Sequence, residues 1–157
     1  MIDWEILSAV SSAFSSLAVV MAVIDLKRSQ KSERNNFEDA LSREYREIME
    51  RIPVAALLGR PLDWNQFSET QREEYLSIFY RYFDLCNQQS FLFEKGRISP
   101  EVWKEWRDGI SSNLRKHAFQ EAWKQMKEDL EVLEDFRGLD SIIEEQNAGK
   151  TNIRSLP

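Results

Sequence analysis

The stretch QREEYLSIFYRYFDLCNQQSFLFEK, residues 71–95, carries apolar side chains around most of a predicted helix. Two apolar stripes run along it at helical spacing. One comprises Leu76, Phe79, Phe83, Cys86 and Ser90, and the other comprises Tyr75, Ile78, Tyr82, Leu85 and Leu92. Because a helix that is apolar on most of its girth is covered on several sides, this segment is predicted to form the centre of a helical fold.

Helix signals surround this segment. Thr70 and Glu73 fit a capping box, which predicts a start near residue 71, and Gly96 predicts the end. Ser99-Pro100-Glu101 predicts the start of the next helix. A further helix is predicted over about 118–137, ended by Gly138. Its apolar residues alternate at spacings of four and three: Phe119, Trp123, Met126, Leu130 and Leu133.

The composition agrees with an all-α fold. The chain has 157 residues but only five Gly and four Pro, and none of these precedes Pro53. Residues 29–53 are therefore predicted to be helical, either continuous with the preceding segment or broken at Asn35-Asn36. Residues 54–138 are predicted to form one compact helical bundle. Residues 139–157 are expected to be an acidic or polar tail, partly disordered.

An uncharged segment near the N-terminus has the length of a membrane helix. Ile6–Ile24 contains nineteen residues without charge, Pro or Gly. As a helix it spans about 28 Å, close to the hydrocarbon core of a bilayer. A buried helix of a soluble protein is the competing interpretation. We predict an N-terminal transmembrane anchor over residues 1–28.

The flanking charges predict its orientation. Asp3 and Glu5 precede the apolar run, which argues against a secretory signal peptide. Four basic residues follow it: Lys27, Arg28, Lys31 and Arg34. The positive-inside rule then places the N-terminus outside and the remaining chain in the cytoplasm, as a single-pass protein of the cell inner membrane.

Serines mark one face of the predicted anchor. They recur at helical spacing: Ser8, Ser11, Ser12, Ser15 and Ser16. Three interpretations stay open. The hydroxyls bond their own helix backbone, they form a helix–helix interface with copies of the chain, or they line a wet pathway inside a ring of helices. The second interpretation predicts a homo-oligomer.

Several classes of chemistry lack a sequence signal. One Cys and one His exclude a disulfide within the chain and clustered metal sites. No phosphate-binding glycine loop or hydrolase motif occurs, and Cys86 is predicted to be buried and inert. The net charge of −6 argues against binding nucleic-acid duplexes. We therefore expect a non-enzymatic protein without a metal or another cofactor.

A basic region interrupts the acidic chain. Residues 94–127 contain eight basic and five acidic residues, whereas the following residues are strongly acidic. Five cations lie near predicted helix ends or on the intervening helix: Arg97, Lys104, Arg107, Arg115 and Lys116. Arg side chains and helix N-termini favour anions, which predicts a site for a phosphorylated ligand. Alternatively, the cations pair with the acidic tail or with anionic lipid headgroups.

A resemblance supports the architecture. Tyr82–Ile110, including Gly96-Arg97-Ile98-Ser99, and Ala118–Trp123 resemble a group of small bacterial proteins with one membrane helix and a helical cytoplasmic domain. The layout also resembles small membrane effectors of antiphage systems whose cytoplasmic domain senses a cyclic oligonucleotide. Neither resemblance implies catalytic residues.

These observations predict a membrane-anchored homo-oligomeric sensor or effector. Its cytoplasmic domain would bind an anionic ligand, such as a nucleotide second messenger, or a partner. Binding would alter the assembly of the membrane helices or the integrity of the bilayer. The alternative is a passive membrane-tethered scaffold or accessory subunit.

Overall fold

The computed structural model describes the backbone of residues 4–129 and 136–154, and the side chains of residues 20–128 and 136–145. The described residues are all-helical. Within these ranges six α-helices follow one another: α1 (Trp4–Arg51), α2 (Val54–Leu57), α3 (Glu69–Glu94), α4 (Pro100–Leu114), α5 (His117–Asp129) and α6 (Arg137–Arg154). A short 3-10 helix, Trp64–Gln66, precedes α3. The all-α class predicted from composition is confirmed.

The chain divides into two units, Met1–Asp39 and Ala40–Pro157. In the first unit, every side chain from residue 20 to residue 36 is exposed. Five of these side chains are large and apolar: Val20, Met21, Val23, Ile24 and Leu26. The helix α1 has no break at Asn35-Asn36, so of the two possibilities left open, the continuous helix is the one observed.

No helix among the described residues is long and apolar enough to cross a membrane. Of the predicted span Ile6–Ile24, only the last five side chains fall within the described part of the chain. The serines of the predicted assembly face, from Ser8 to Ser16, lie outside it. The backbone there is helical, so their spacing keeps its helical phase.

Helix α3 is the centre of the second unit, as its sequence predicts. It packs against α4, α5 and α6. Phe79, Tyr82 and Phe83 are fully buried. The ring of Phe119 from α5 meets those of Phe79 and Tyr82 edge-on, each at 5.1 Å between centroids. Trp123 meets Phe83 at 4.9 Å. Edge-to-face contacts of this kind are among the arrangements that aromatic rings prefer.

Both ends of α3 carry recognisable capping features. The predicted start was two residues late, because the capping box uses Ser68 and Gln71 rather than Thr70 and Glu73. The Ser68 hydroxyl accepts from the Gln71 amide, and the Gln71 side chain accepts from the Ser68 amide at 3.0 Å. At the other end Gly96 has φ of +68°, where glycine avoids the steric cost of a side chain.

The last helix is the main difference from the sequence-based expectation. Where we expected a polar tail from residue 139, α6 extends from Arg137 to Arg154 and packs against α3 and α4. Leu139 and Ile142 are buried in that contact. Gly138, predicted to stop a helix, lies in the first turn of α6. A Cβ there would come within 2.8 Å of the Ser90 Cβ, so this glycine permits close approach to α3.

Candidate anion-binding site

A cleft of about 320 Å³ lies between α4 and α6. Helix α4 contributes Arg107, Ser111 and Arg115, which are spaced by four residues and therefore lie on one face. Helix α6 contributes Ile142 and Glu145. Two of the five predicted cations, Arg107 and Arg115, therefore line one cleft, and α6 forms its other wall. We call this site the Arg107 cleft.

One of the two arginines in the cleft is already paired with a carboxylate. The Arg107 guanidinium donates to Glu145 in an ion pair whose side chains are 45% and 60% exposed. Pairs this exposed contribute about 0–1 kcal/mol. Asp108 also lines the cleft, so its two Arg and two acidic residues sum to zero formal charge. Arg115 forms no ion pair with any residue whose side chain the structure describes.

Lys116 interacts with residues outside the Arg107 cleft. Its ammonium donates to the Asn113 carboxamide oxygen at 2.7 Å and lies 5.8 Å from the centroid of the Phe119 ring. This lysine is half-buried and does not line the Arg107 cleft. Its cation stabilises the polar interior instead of extending the basic surface.

The other two predicted cations lie outside the cleft lining. Lys104 is exposed on α4, three residues before Arg107 and on the same side of the helix. Arg97 is exposed beyond the end of α3, where its amide donates to the Leu92 carbonyl at 2.9 Å. The structure therefore does not gather all five cations at one point.

A buried polar cluster was not found from the sequence. The Asn113 carboxamide nitrogen donates to the Tyr82 hydroxyl at 3.1 Å and to the Tyr45 hydroxyl at 3.4 Å. These residues come from α4, α3 and α1, and Asn113 is only 5% exposed. Burial raises the pKa of Tyr82 well above its ordinary value and raises the pKa of Tyr45 as well. No local spacing signals such a cluster, since its members are 31 and 68 residues from Asn113.

Cys86 is buried, as predicted. Its thiol lies beside Tyr82 in the interior of α3, and burial raises its pKa to about 12. The hydrogen bond with Tyr82 opposes this shift but is the smaller effect. A thiol with so high a pKa carries little thiolate near neutral pH and is a poor nucleophile.

A second cleft does not bring an acid–base pair together among the described residues. It measures about 650 Å³ and lies between α3 and α6. Asp84 and Glu94 both line it, but ten helical residues separate them by about 15 Å along α3. Glu105 lines a different cavity. The three carboxylates considered from the sequence therefore do not converge.

Comparison with protein-family models, with curated proteins and with solved structures gives no match.

Proposed function

We propose that this chain is a non-enzymatic, membrane-anchored homo-oligomeric sensor or effector whose helical domain binds an anionic ligand. The observation that carries the proposal is the Arg107 cleft, which is lined by two arginines of α4, Arg107 and Arg115, two turns apart on one face. Guanidinium groups bind carboxylate and phosphate through paired hydrogen bonds. A phosphorylated ligand, such as a nucleotide second messenger, fits this chemistry.

Glu145 supports the same interpretation. Its carboxylate is bonded to Arg107, so the guanidinium is already oriented toward an oxyanion within the cleft. Because the pair is largely exposed, it is weak enough for a ligand anion to replace. Arg115 lines the same space and offers further donors.

The membrane anchor is supported by the exposed residues of α1. Val20, Met21, Val23, Ile24 and Leu26 are 44–59% exposed, and they cover more than one face of the helix. A helix that is apolar on all sides is normally covered by protein or by lipid. The exposed cations from Lys27 to Arg34 follow directly, and they favour a cytoplasmic domain of an inner-membrane protein.

Signalling requires two assemblies that differ in affinity for the ligand. A ligand shifts an equilibrium only by the difference in its binding free energy to the two states. In the proposed function, the serine face formed by Ser8, Ser11, Ser12, Ser15 and Ser16 packs against copies of the chain. Small residues allow such helices to approach closely, and ligand binding then favours one packing or alters membrane integrity.

The binding test uses the full chain in detergent micelles and a panel of nucleotides, including cyclic dinucleotides and cyclic oligonucleotides. Titration calorimetry would compare the wild type with the double variant Arg107→Gln, Arg115→Gln. We expect the double variant to lose about 100-fold in affinity, since hydrogen bonds to charged groups contribute about 1.5–3 kcal/mol each. Arg81→Gln, an exposed change on α3 outside the cleft, is the matched control.

Two results would overturn ligand binding at this site. One is the absence of saturable binding by every phosphorylated compound in the panel. The other is binding that survives the double variant unchanged.

A membrane test stands apart from the binding test. Cells expressing the full chain would be fractionated, and the membranes washed with alkaline carbonate. We expect the chain to stay in the pellet, because a spanning helix is not released by disrupting electrostatic contacts. Release into the supernatant would contradict the anchor but leave the ligand site untouched.

The alternative function, a passive tethered scaffold or accessory subunit, is favoured by a second observation. Both the Arg107–Glu145 pair and the Lys127–Asp140 pair, at 3.0 Å, connect the basic region to carboxylates of α6. Basic residues that pair with carboxylates of α6 have a structural role, and this role does not require a ligand. Replacing Ser8, Ser12 and Ser16 by Leu separates the two functions. The sensor requires a changed oligomer and lost activity, whereas the scaffold requires neither.

A further inference from the structure

A cluster of basic residues lies on α1 directly after its exposed apolar stretch. Every side chain from residue 20 to residue 36 is exposed. Successive residues of an α-helix are rotated by about 100°, so their positions in the chain fix the face that each side chain occupies. By this rotation four cations fall within an arc of about 120° centred on Lys31. We call this arc the basic face of α1, and it comprises Lys27, Arg28, Lys31 and Arg34.

The acidic residues of this segment lie away from the basic face. Asp25 and Glu33 are rotated by about 120° and about 160° from Lys31. The Glu33 carboxylate accepts a hydrogen bond from the Ser29 hydroxyl at 3.4 Å, on the side of the helix opposite Lys31. The next acid on the basic face, Glu38, is buried and lies beyond the exposed segment. Positive charge is therefore concentrated on one side of the exposed helix.

The cations of the basic face are available to anions from outside the chain. None of the four forms an ion pair with a residue whose side chain the structure describes. Lys27 is four residues from Lys31, and Arg34 is three residues from it. Like charges at these spacings destabilise a helix. Anions bound along the basic face would remove this repulsion.

Exposed apolar residues fix the place of the basic face relative to a bilayer. Those from Val20 to Leu26 lie within the membrane in the proposed function, and this inference rests on that association. At about 1.5 Å per residue, Lys27 then lies close to the hydrocarbon edge, and Arg34 lies about 12 Å beyond Leu26. The headgroup layer is about 5–8 Å thick on each side of the hydrocarbon core. Because Lys and Arg side chains extend along apolar surfaces, all four cations can reach this layer.

The shape of the basic face favours a lipid surface over a small ligand. Small-molecule sites are concave and enclose most of the ligand. The basic face is instead the convex side of a helix on which every neighbouring side chain is exposed. Headgroups that surround such a helix can contact several of its cations at once. This distinguishes the basic face from the Arg107 cleft, which lies between two helices.

We propose that the basic face of α1 binds the phosphodiester headgroups of anionic phospholipids. The guanidinium groups of Arg28 and Arg34 donate paired hydrogen bonds to phosphate oxygens, and the two lysines act as point charges. Clusters of four to eight basic residues beside a membrane segment are typical of this contact. The basic face thereby gathers anionic lipids around the protein.

The test measures the lipid preference of the full chain reconstituted in phosphatidylcholine vesicles. Trace spin-labelled phosphatidylglycerol or phosphatidylcholine is placed in both leaflets, so the orientation of the chain does not affect the result. Electron paramagnetic resonance then gives the fraction of each lipid that is immobilised by the protein. At about 0.1 M salt we expect phosphatidylglycerol to associate about fivefold more strongly, which corresponds to one cation per bound headgroup. At about 1 M NaCl the preference is expected to fall below about 1.5-fold, because the Debye length shortens to about 3 Å.

Two variants with the same change in net charge locate the contact. The first replaces the basic face by Lys27→Gln, Arg28→Gln, Lys31→Gln and Arg34→Gln, and its preference is expected to fall below about 1.5-fold. Because Gln is a good helix former, its circular dichroism spectrum is expected to match that of the wild type. The matched control removes four exposed cations of the second unit and is expected to keep the preference within about twofold of the wild type. It carries Arg43→Gln, Arg60→Gln, Arg81→Gln and Lys95→Gln.

Several results would overturn this assignment. One is equal association of the two labelled lipids with the wild type at about 0.1 M salt. Another is a preference that both variants lose equally, because net charge rather than the basic face would then explain it. A preference that salt does not reduce would contradict an electrostatic contact. RNA binding that the first variant loses, without any lipid preference, would assign the basic face to nucleic acid instead.

Flotation of the vesicles on a sucrose gradient separates this inference from the proposed function. A chain that floats with phosphatidylcholine vesicles but shows no lipid preference retains the anchor and overturns the lipid contact. A chain that floats only when phosphatidylglycerol is present, and that NaCl releases, supports the lipid contact and contradicts the anchor. A chain that floats with neither vesicle contradicts both.

Discussion

Residues 20–26 of α1 and the middle of α3 are both rich in large apolar side chains, but they differ in exposure. In α3, Phe79, Tyr82, Phe83 and Cys86 are fully buried under α5 and the helices around it. In α1, the apolar side chains from Val20 to Leu26 are 44–59% exposed. Apolar surface of this extent favours removal from water wherever a cover exists.

The difference teaches that a helix with apolar residues on most of its surface is expected to be buried against something. The sequence pattern does not identify whether protein or lipid buries it. For α3 the cover is the rest of the second unit. For residues 20–26 the described chain supplies none, and a bilayer or neighbouring copies of the helix are the covers that we propose. Four predictions test this comparison, and they are ordered from the largest expected effect.

The strongest test removes a ring from the covered helix. Phe83→Ala is expected to lower the free energy of unfolding by about 3–5 kcal/mol, because the truncation leaves a cavity beside Trp123 and Phe79. Urea denaturation followed by tryptophan fluorescence measures the change. A loss below about 1 kcal/mol would mean that Phe83 is not packed as described.

The second test uses the pH dependence of stability to measure how strongly the core around α3 excludes water from Cys86. The Cys86 thiol has a pKa of about 12 in the folded chain against an ordinary value of 9.0. Above pH 9 the unfolded chain loses this proton first, so stability is complete below pH 9 and falls as the pH rises toward 12. The loss is of order 4 kcal/mol at most.

Tyr82 acts in the same direction, because its folded pKa is also raised. The Cys86→Ala variant isolates the thiol, since its stability is expected to fall less steeply over the same range. Parallel pH profiles for the two proteins would contradict a desolvated thiol.

The third test introduces a steric clash between α6 and α3. Gly138→Ala places a methyl group within 2.8 Å of the Ser90 Cβ, and overpacking of this kind costs about 1–3 kcal/mol. Gly109→Ala is the matched control. It adds a methyl group in open space in α4 and is expected to stabilise the chain by up to about 1 kcal/mol. Thermal unfolding of both variants gives the comparison, which fails if both shift in the same direction.

The smallest effect is expected in the uncovered helix. Leu26→Ser removes an apolar side chain that is 59% exposed, and the free energy of unfolding of the second unit is expected to change by less than about 0.5 kcal/mol. Urea denaturation measures it under the conditions used for Phe83→Ala. A loss above 1 kcal/mol would show that protein covers this position.

Much of the fold was readable from local patterns. The end of α3 at Gly96 and the start of α4 at Pro100 were predicted from capping signals, which depend on neighbours within one helical turn. The start of α3 was missed by two residues, because both Ser68 and Thr70 fit the same signal. The folded tail was missed because the buried face of α6 is narrow, with Leu139 and Ile142 as its buried apolar side chains among the described residues.

The candidate site was only partly readable. Arg107 and Arg115 were predicted to act together, and the structure places them in one cleft. Lys116 was assigned to the same surface, but its ammonium bonds to Asn113. A count of charges along the chain says which residues are cations, not which acids or amides face them.

The amino-acid sequence by itself determined the helical class, the centrality of α3 and the burial of Cys86. These follow from periodicity and capping, which act within a few residues. Only the tertiary structure decided that Glu145 meets Arg107 and that Asn113 bonds to Tyr82, Tyr45 and Lys116. These outcomes depend on how α1, α3, α4 and α6 pack across separations of tens of residues, and such distances leave no local signal in the chain.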